Sequence, residues 1–229
     1  MNRLVGLAFL MFTASALPAQ SMQARDTAVS GGVRVSFEMR RPTVDPQWFE
    51  IVAKPDGSAR YRSLPREDSK SSDPAPYELS FTLSPQSRQS IFAVAPGLMR
   101  LRGTLDKNKV AFTGTKTVRY EDGTGVSSAI SYNYSSAPEL MAFTELMEGI
   151  SETIEYSQTL QFETRFDKLA LDATLRTMEN LVSIDRLAEL QLLKPELNRI
   201  ANDSTILHIA RERARHILQI ASEGRPKGK

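Results

Sequence analysis

The sequence predicts an α+β fold, in which an antiparallel β-sheet with one crossing helix is followed by a helical region that packs on it. Three observations carry this prediction. Apolar residues alternate with polar ones through much of residues 32–135, which is the period of strands. Between residues 137 and 222 they instead recur every three or four positions, as on one face of a helix. The change of period is abrupt and falls near Pro138.

Alternation and turn chemistry predict the first strands. Apolar residues occupy every second position in residues 33–39, 49–53 and 77–83. Pro55-Asp56-Gly57 supplies a turn, which makes residues 58–61 the hairpin partner of the second strand. Residues 63–76 contain three prolines among many polar residues and therefore predict an exposed loop.

A short helix is predicted over residues 85–96. Ser84 is a typical N-cap and Pro85 suits the first helical position. Pro96-Gly97 is expected to end this helix. A hairpin follows over residues 109–135, with a loop at residues 121–125 that contains Asp122-Gly123. Pairing Tyr120 with Val126 sets the expected register and places the ring of Tyr132 over Gly114.

The helical half begins with an amphipathic helix whose apolar stripe is expected to pack on the sheet. The members of that stripe are Leu140, Phe143, Leu146, Met147, Ile150 and Ile154. The apolar period continues through Leu160, Phe166, Leu169, Ala173 and Leu181, with a kink near Ser157. Asp185 predicts the cap of a helix over residues 186–192, and Pro195 opens another that runs through Ile200. Asn202-Asp203-Ser204 predicts the cap of a last helix, and residues 223–229 predict a frayed tail.

The first nineteen residues have the pattern of a secretory signal peptide. A basic start at Arg3 precedes nine apolar residues, 4–12, and a small-residue segment that offers cleavage after Ala16 or Ala19. The apolar run is shorter than the roughly 20 residues that cross a bilayer. The predicted organisation is therefore a signal peptide at 1–19, a β-rich domain at 25–136 and a helical region at 137–222, in a periplasmic or secreted protein.

Composition narrows the classes of function. The formal net charge is +2 and becomes +1 without Arg3, so nothing indicates a nucleic-acid partner. The absence of cysteine excludes a disulfide framework, a thiolate metal site, a thiol nucleophile and a lipid-bearing cysteine at the cleavage region. No later segment approaches 18 uninterrupted apolar residues, so no membrane span is expected in the mature chain.

The order of elements in residues 32–150 resembles a group of exported bacterial proteins of unassigned function. The residues that carry the resemblance are Trp48-Phe49-Glu50, Asp56-Gly57-Ser58-Ala59-Arg60-Tyr61, Phe81-Thr82-Leu83-Ser84, Ile91-Phe92, Val110-Ala111-Phe112-Thr113-Gly114-Thr115-Lys116-Thr117, Tyr132-Asn133-Tyr134-Ser135 and Leu146-Met147. These are mostly turn and core residues. The resemblance implies a small sheet domain with a crossing helix, and it brings no catalytic or binding residue with it.

One face of the second hairpin is rich in hydroxyl groups and is the candidate binding surface. Its residues are Thr113, Thr115, Thr117, Arg119, Ser127, Ser131 and Asn133. Such a face offers many weak hydrogen bonds to a glycan or peptide, with Arg119 or Lys116 as an anion contact. The simpler interpretation is that threonine-rich positions form the water-facing side of an antiparallel sheet.

Other candidate sites are weaker. His208, Glu212 and His216 share one side of a helix, but two turns separate the histidines by about 12 Å, too far to bind one metal ion.

Trp48 and Tyr61 flank the first hairpin and could form a stacking platform for a sugar, although a lone Trp is more often core or rim. The acidic stripe of the first C-terminal helix predicts an exposed face that pairs with arginines of the last helix. This stripe consists of Glu145, Glu148, Glu152 and Glu155.

No nucleophile elbow or phosphate-binding loop is present in the sequence, and no cofactor is expected. The sequence therefore favours an exported, non-enzymatic module that binds a protein or cell-envelope component. The alternative is a hydrolase acting on an envelope polymer, with its site at the junction of the two halves. A cleft with two converging carboxylates, or a serine–histidine pair, would favour that alternative.

Overall fold

The sheet forms the first layer of the fold. The computed structural model describes residues 32–65, 76–98, 100 and 112–223. In this part of the chain the strands are β1 Val33–Arg40, β2 Trp48–Ala53, β3 Ser58–Leu64, β4 Tyr77–Thr82, β5 Thr115–Asp122 and β6 Ser127–Tyr132. They form one antiparallel sheet in the order β4-β3-β2-β1-β5-β6.

The predicted alternation is confirmed in the strands of the first half. Val35, Phe37 and Met39 of β1 are buried, whereas the residues between them are more exposed. The turn before β3 is also confirmed, because Gly57 has a φ of 93° and lies between the hydrogen-bonded ends of β2 and β3. β3 continues to Leu64, so residues 63–64 are strand rather than loop. Residues 66–75 of the predicted loop lie outside the described residues.

Helix α1, Pro85–Leu98, crosses from β4 towards β5. Its predicted N-cap is confirmed, because the backbone N–H of Ser87 donates to Ser84 Oγ at 3.2 Å. The helix continues through Pro96 to Leu98, so the predicted end at Pro96-Gly97 is wrong. Burial of Ala95 and Leu98 in the core offsets the free-energy cost of the hydrogen bond that Pro96 cannot donate.

Helix α2, Pro138–Phe166, runs for 29 residues and covers the sheet. Leu140, Phe143, Met147, Ile150 and Ile154 are buried in one cluster with the apolar residues of β1–β3, β5 and β6. The sequence predicted this shared core from the spacing of the same residues. The protein therefore has the predicted α+β fold, with a helical region after the sheet.

The remaining helices build a second core around the C-terminal end of α2. They are α3 Leu171–Ser183, α4 Lys194–Asn202 and α5 His208–Glu223, with a short 3₁₀ turn at Leu190–Leu193 before α4. Leu160 of α2 is buried with apolar residues of α3, α4 and α5. Because α2 contributes to both cores, it joins the sheet layer to the helical layer.

Three predictions in the helical half are wrong. Phe166 and Leu169 do not continue the buried stripe of α2, which runs unbroken to Phe166, because they are 73% and 76% exposed. Residues 186–189 are not helical, because Asp185 has a φ of 66° and ends helical geometry instead of capping a helix. The cluster 202–204 does not cap α5 either. Asp203 instead accepts hydrogen bonds from the backbone and side chain of Thr205 in the turn between the last two helices.

The segment 185–189, called the connector here, crosses α2 at Gly149. A Cβ at Gly149 would lie 2.6 Å from the carbonyl oxygen of Arg186, and Ala188 N–H donates to the Gly149 carbonyl at 3.3 Å. Glycine is therefore required for this close approach. Glu189 ends the connector. It has a φ of 57°, and only 5% of its surface is exposed.

All described residues belong to one compact unit. Within them, no helix is both long enough and apolar enough to span a membrane. The predicted signal peptide at 1–19, Val110 of the second hairpin and the predicted tail from residue 224 onwards lie outside the described residues.

Candidate functional site

The residues predicted as a binding surface share the side of the sheet that faces away from the helices, called the outer face here. Those on strands are Thr115, Thr117, Arg119, Ser127 and Ser131. They alternate with Val118, Ile130 and Tyr132, which are buried in the core. Thr113 and Asn133 lie just beyond the strand ends and are joined by a 2.8 Å hydrogen bond from Thr113 N–H to Asn133 Oδ1.

The hairpin register differs from the prediction by two residues. Tyr120 pairs with Ser128 rather than Val126, because the turn is centred on Thr124. Asp122 Oδ1 accepts hydrogen bonds from the backbone and hydroxyl of Thr124, at 2.8 and 2.7 Å, which fixes that centre. An even shift keeps every side chain on its predicted face, so the composition of the outer face is unchanged.

Gly114 does not lie under Tyr132 as predicted, because Tyr132 pairs with Lys116. Gly114 has a φ of 113°, and a Cβ there would lie 2.7 Å from the carbonyl oxygen of Arg40. The need for glycine at this position comes from the backbone of β1 and not from an aromatic ring.

Lys116 faces the core and not the outer face, so its predicted role as an anion contact beside the hydroxyl groups is wrong. It is 6% exposed, and its Nζ donates to the Asn133 carbonyl at 3.1 Å and to Thr113 Oγ1 at 3.2 Å. Glu148 Oε1 lies 4.0 Å from the same nitrogen. The ammonium group therefore ties the end of the hairpin to α2.

Part of the hydroxyl-rich surface is satisfied internally. Thr117 and Ser131 face each other across β5 and β6, and their hydroxyl oxygens are 2.9 Å apart. Thr115 and Ser127 are exposed at opposite ends of the same hairpin. Hydroxyl groups thus extend along both strands, and each retains acceptor capacity towards solvent.

Arginine and glutamate side chains occupy most of the remaining outer face, and four of the arginines are paired. The pairs are Arg34–Glu121 at 2.6 Å, Arg40–Glu38 at 2.6 Å, Arg62–Glu50 at 2.6 Å and Arg60–Glu78 at 3.8 Å. Arg119 differs from them. Its cross-strand neighbours are Ser36 on β1 and Ala129 on β6. Among the described residues, no hydrogen bond or ion pair involves its exposed guanidinium group.

Trp48 and Tyr61 do not form a joint platform, because they lie on opposite faces of the sheet. Trp48 is on the outer face, where the guanidinium groups of Arg40 and Arg62 lie 5.9 and 5.7 Å from its ring centroid. Its Nε1 donates to Glu38 Oε1 at 2.9 Å. Tyr61 is fully buried beneath the helices. The indole ring is already engaged by cations of the protein itself.

The Tyr61 hydroxyl belongs to a buried polar cluster with Ser151 and Glu155. Glu155 Oε1 accepts hydrogen bonds from Ser151 Oγ at 2.7 Å and from Tyr61 Oη at 3.2 Å. Burial raises the pKa of the Glu155 carboxyl above its ordinary value and raises the pKa of Tyr61 as well. The contacts of this cluster join β3 to α2.

The rest of the acidic stripe does not pair with the last helix as predicted. Arg186 of the connector donates to Glu148 at 3.1 Å and to Glu152 at 3.0 Å. Glu145 is exposed as expected. The sequence gives no local signal for the ion pairs of Arg186, because Glu152 and Glu148 lie on α2, 34 and 38 residues away in the chain.

A cavity of about 660 Å³ lies at the junction of the two halves. It is bounded by the start of α1, by α2, by the connector and by the end of α5, and Ser90, Glu145 and Glu189 are among its lining residues. Glu189 accepts hydrogen bonds from the backbone and hydroxyl of Ser84, both at 2.7 Å, and another from the Gln191 amide. This carboxylate therefore fastens the connector to the start of α1.

Neither histidine lines that cavity, and the two histidines have different carboxylate partners. His216 Nδ1 is 2.8 Å from Glu179 Oε1 on α3, and His208 Nδ1 is 3.8 Å from Glu212 Oε1. Neither histidine hydrogen-bonds to a serine within the described part of the chain. No cluster of metal-ligating side chains is found in residues 32–65, 76–98, 100 and 112–223.

In comparisons with known proteins, no family model matches this chain and no curated protein is significantly similar to it.

Proposed function

We propose that this protein is an exported, non-enzymatic module that binds a protein or cell-envelope component through the outer face of its sheet. The N-terminal pattern supports export, because the basic start, short apolar run and small-residue segment are those of a cleaved leader. The binding surface lies on β5 and β6, around Arg119.

The observation that carries the proposal is the electrostatic imbalance of the outer face. Four arginines there have a glutamate within ion-pair distance, whereas Arg119 has only small and hydroxyl-bearing cross-strand neighbours. An exposed guanidinium group with no carboxylate within ion-pair distance retains its full set of hydrogen-bond donors for an incoming acceptor.

The surroundings of Arg119 suit an acceptor-rich ligand. Thr117 and Ser131 lie one row further along the strands, and Ser127 lies one row in the other direction. The carboxylates in these two rows, Glu38 and Glu121, are paired with Arg40 and Arg34. Hydroxyl groups both donate and accept, so they match the hydroxyl groups of a glycan or the backbone of a peptide. A carboxylate or phosphate on that partner would bind the guanidinium through two parallel hydrogen bonds.

Substitution of Arg119 tests this proposal. The purified protein is incubated with isolated envelope material, and the bound fraction is measured by co-sedimentation. We expect Arg119→Ala to weaken binding roughly 10-fold or more, since a hydrogen bond to a charged group contributes about 1.5–3 kcal/mol. Treatment of the envelope material with a protease beforehand distinguishes a protein partner from a glycan or lipid component.

Arg165→Ala is the matched control. Arg165 is also an exposed arginine, but it lies on α2 in the helical layer. We expect its removal to leave binding unchanged. Unaltered binding by Arg119→Ala, or an equal loss with Arg165→Ala, would contradict the proposal.

A hydrolase is the second candidate, and the junction cavity is the observation that favours it. Ser90 and Glu145 line that cavity, and within the described part of the chain neither takes part in an ion pair, whereas Glu189 is engaged with Ser84. If this function holds, the wild-type protein releases soluble fragments from purified envelope polymer and Glu145→Gln releases none. Absence of release by the wild-type protein would exclude it for that polymer.

A further inference from the structure

Among the described strands, β6 lies at one edge of the sheet and carries none of the usual side-chain protection against pairing. It consists of Ser127–Tyr132, with no charged residue and no proline. Edge strands commonly carry a charge, a proline or a bulge that prevents another chain from adding to them. The opposite edge, β4, contains Glu78. The two edges of the same sheet therefore differ in their capacity to accept a further strand.

The backbone groups that β6 turns outward can be assigned from the turn. Asp122 N–H donates to the Val126 carbonyl at 3.2 Å, which makes these residues a hydrogen-bonded pair. Such pairs alternate along an antiparallel ladder, so residues 128, 130 and 132 bond inward to β5. Ser127, Ala129 and Ser131 consequently direct their N–H and C=O groups outward. Within the described residues, none of these groups has a backbone partner.

We propose that two copies of this chain pair through β6 in antiparallel orientation, with Ala129 opposite Ala129 of the second copy. Ser127 then lies opposite Ser131 of the second copy, and the reverse holds at the other end. Each of these three pairs exchanges two backbone hydrogen bonds. The two six-stranded sheets become one continuous sheet.

The side chains and charges at this seam favour a second copy as the occupant. A two-fold axis through Ala129 brings the same surface together from both chains, so that surface must be complementary to itself. Serine, alanine and serine meet there without a steric conflict on the outer face, where all three are exposed. No charge on β6 opposes its own counterpart.

Pairing would also extend the proposed binding surface, a consequence that rests on the proposed function while the pairing itself does not. Arg119 lies beside Ala129, so the two copies of Arg119 would flank the seam. Three strand spacings separate them, which is about 14 Å. A partner with repeated anionic groups could then contact both copies.

Engineered cysteines test the pairing and its register, because the natural chain contains none. In a hydrogen-bonded pair the Cα atoms are about 5.5 Å apart, which suits a disulfide. We expect Ala129→Cys to form a covalent dimer on mild oxidation. Ser127→Cys should form little, because the same residue on two copies would be four positions apart, about 13 Å. Ser80→Cys, at the exposed centre of β4, is the control for the other edge and should also form little.

Sedimentation equilibrium provides the second measurement. We expect the wild-type protein and Ser80→Lys to be dimers at about 100 μM, and Ala129→Lys to be a monomer with an unchanged circular dichroism spectrum, because two ammonium groups would meet at the seam. A monomeric wild-type protein overturns the proposal. So does a dimer that persists in Ala129→Lys, or one in which Ser127→Cys cross-links as readily as Ala129→Cys. Ligand binding is measured separately, so failure of the dimer and failure of the proposed function are distinguishable.

Discussion

Gly114 occupies a position where the backbone of β1 leaves no room for a side chain. Its φ is 113°, and an added Cβ would lie 2.7 Å from the Arg40 carbonyl oxygen and 2.9 Å from Arg41 Cγ. Gly125 has a similar positive φ of 93° but no atom within 4 Å of an added Cβ. Comparing substitutions at the two glycines therefore distinguishes the free-energy cost of a left-handed backbone from that of a steric clash.

We expect Gly114→Ala to lower the free energy of unfolding by about 3 kcal/mol or more and Gly125→Ala by about 1 kcal/mol. The left-handed conformation costs both variants a similar amount, and the clash with β1 adds to the first. Urea denaturation followed by circular dichroism measures both values. Equal losses would show that the contact with Arg40 is unimportant.

Glu155 is the residue whose ionisation is expected to affect stability most clearly. Burial beside Ser151 and Tyr61 raises the pKa of its carboxyl, so the folded protein holds this proton more tightly than the unfolded chain. The stabilising contribution is complete below the ordinary pKa of 4.5 and is lost as the pH rises through the folded-state pKa.

The wild-type protein should therefore lose stability relative to Glu155→Gln as the pH rises from about 4.5 towards neutrality. The control is Glu145→Gln, which removes an exposed carboxyl of the same helix and should follow the wild type. The measurement is the denaturation midpoint of the wild type and of both variants across that pH range. Parallel curves for the wild type and Glu155→Gln would contradict the assignment.

At the scale of elements, the connector is the feature that the sequence did not predict. Its path depends on contacts of Arg186 with Gly149 and Glu152 and of Glu189 with Ser84, and each of these contacts joins residues more than 30 positions apart in the chain. Local patterns do not report such contacts. Asp185 looks like a helix cap in sequence, but tertiary packing places it at a φ of 66°.

Elements with a local signal were predicted well. Each of these signals determines the structure of the segment in which it lies. They are the turn at Gly57, the Ser84 cap of α1 and the proline near the start of α4. The faces of β5 and β6 were also correct, because alternation survives an even error in register. The register itself was wrong, because it depends on whether Gly123 or Thr124 is central to a glycine-rich turn.

Gly149→Ala tests the close crossing of the connector over α2. We expect a loss of about 2–4 kcal/mol, because the new methyl group would meet the Arg186 carbonyl oxygen and the connector would have to move away from α2. Gly97→Ala is the control, since that glycine lies in α1 with nothing within 4 Å of an added Cβ. It should change stability by no more than about 1 kcal/mol, in the stabilising direction. A Gly149→Ala variant as stable as Gly97→Ala would contradict the crossing.

At the scale of the whole molecule, α2 makes the sheet layer and the helical layer one structure. Its first half is buried with the sheet and Leu160 is buried with the later helices. Arg186 adds ion pairs between α2 and the connector. These shared contacts favour a single cooperative unfolding transition over separate unfolding of two domains.

Trp48 allows a direct test of this cooperativity, because it is the only tryptophan and lies on β2. We expect the unfolding transition seen by its fluorescence to coincide with the transition seen by far-ultraviolet circular dichroism, which is dominated by the helices. Loss of helical signal at a lower denaturant concentration than the fluorescence change would show that the helical region unfolds on its own.

The proposed function requires the partner to contact the outer face of the sheet and not the helical layer. Arg119 on the outer face and Arg165 on α2 are both exposed, so a dicarbonyl reagent that modifies arginine should label both in the free protein. The most direct measurement is the extent of labelling at each residue, by mass spectrometry, with and without envelope material. We expect bound material to protect Arg119 and to leave Arg165 reactive. Unchanged labelling of Arg119, or protection of Arg165 alone, would contradict it.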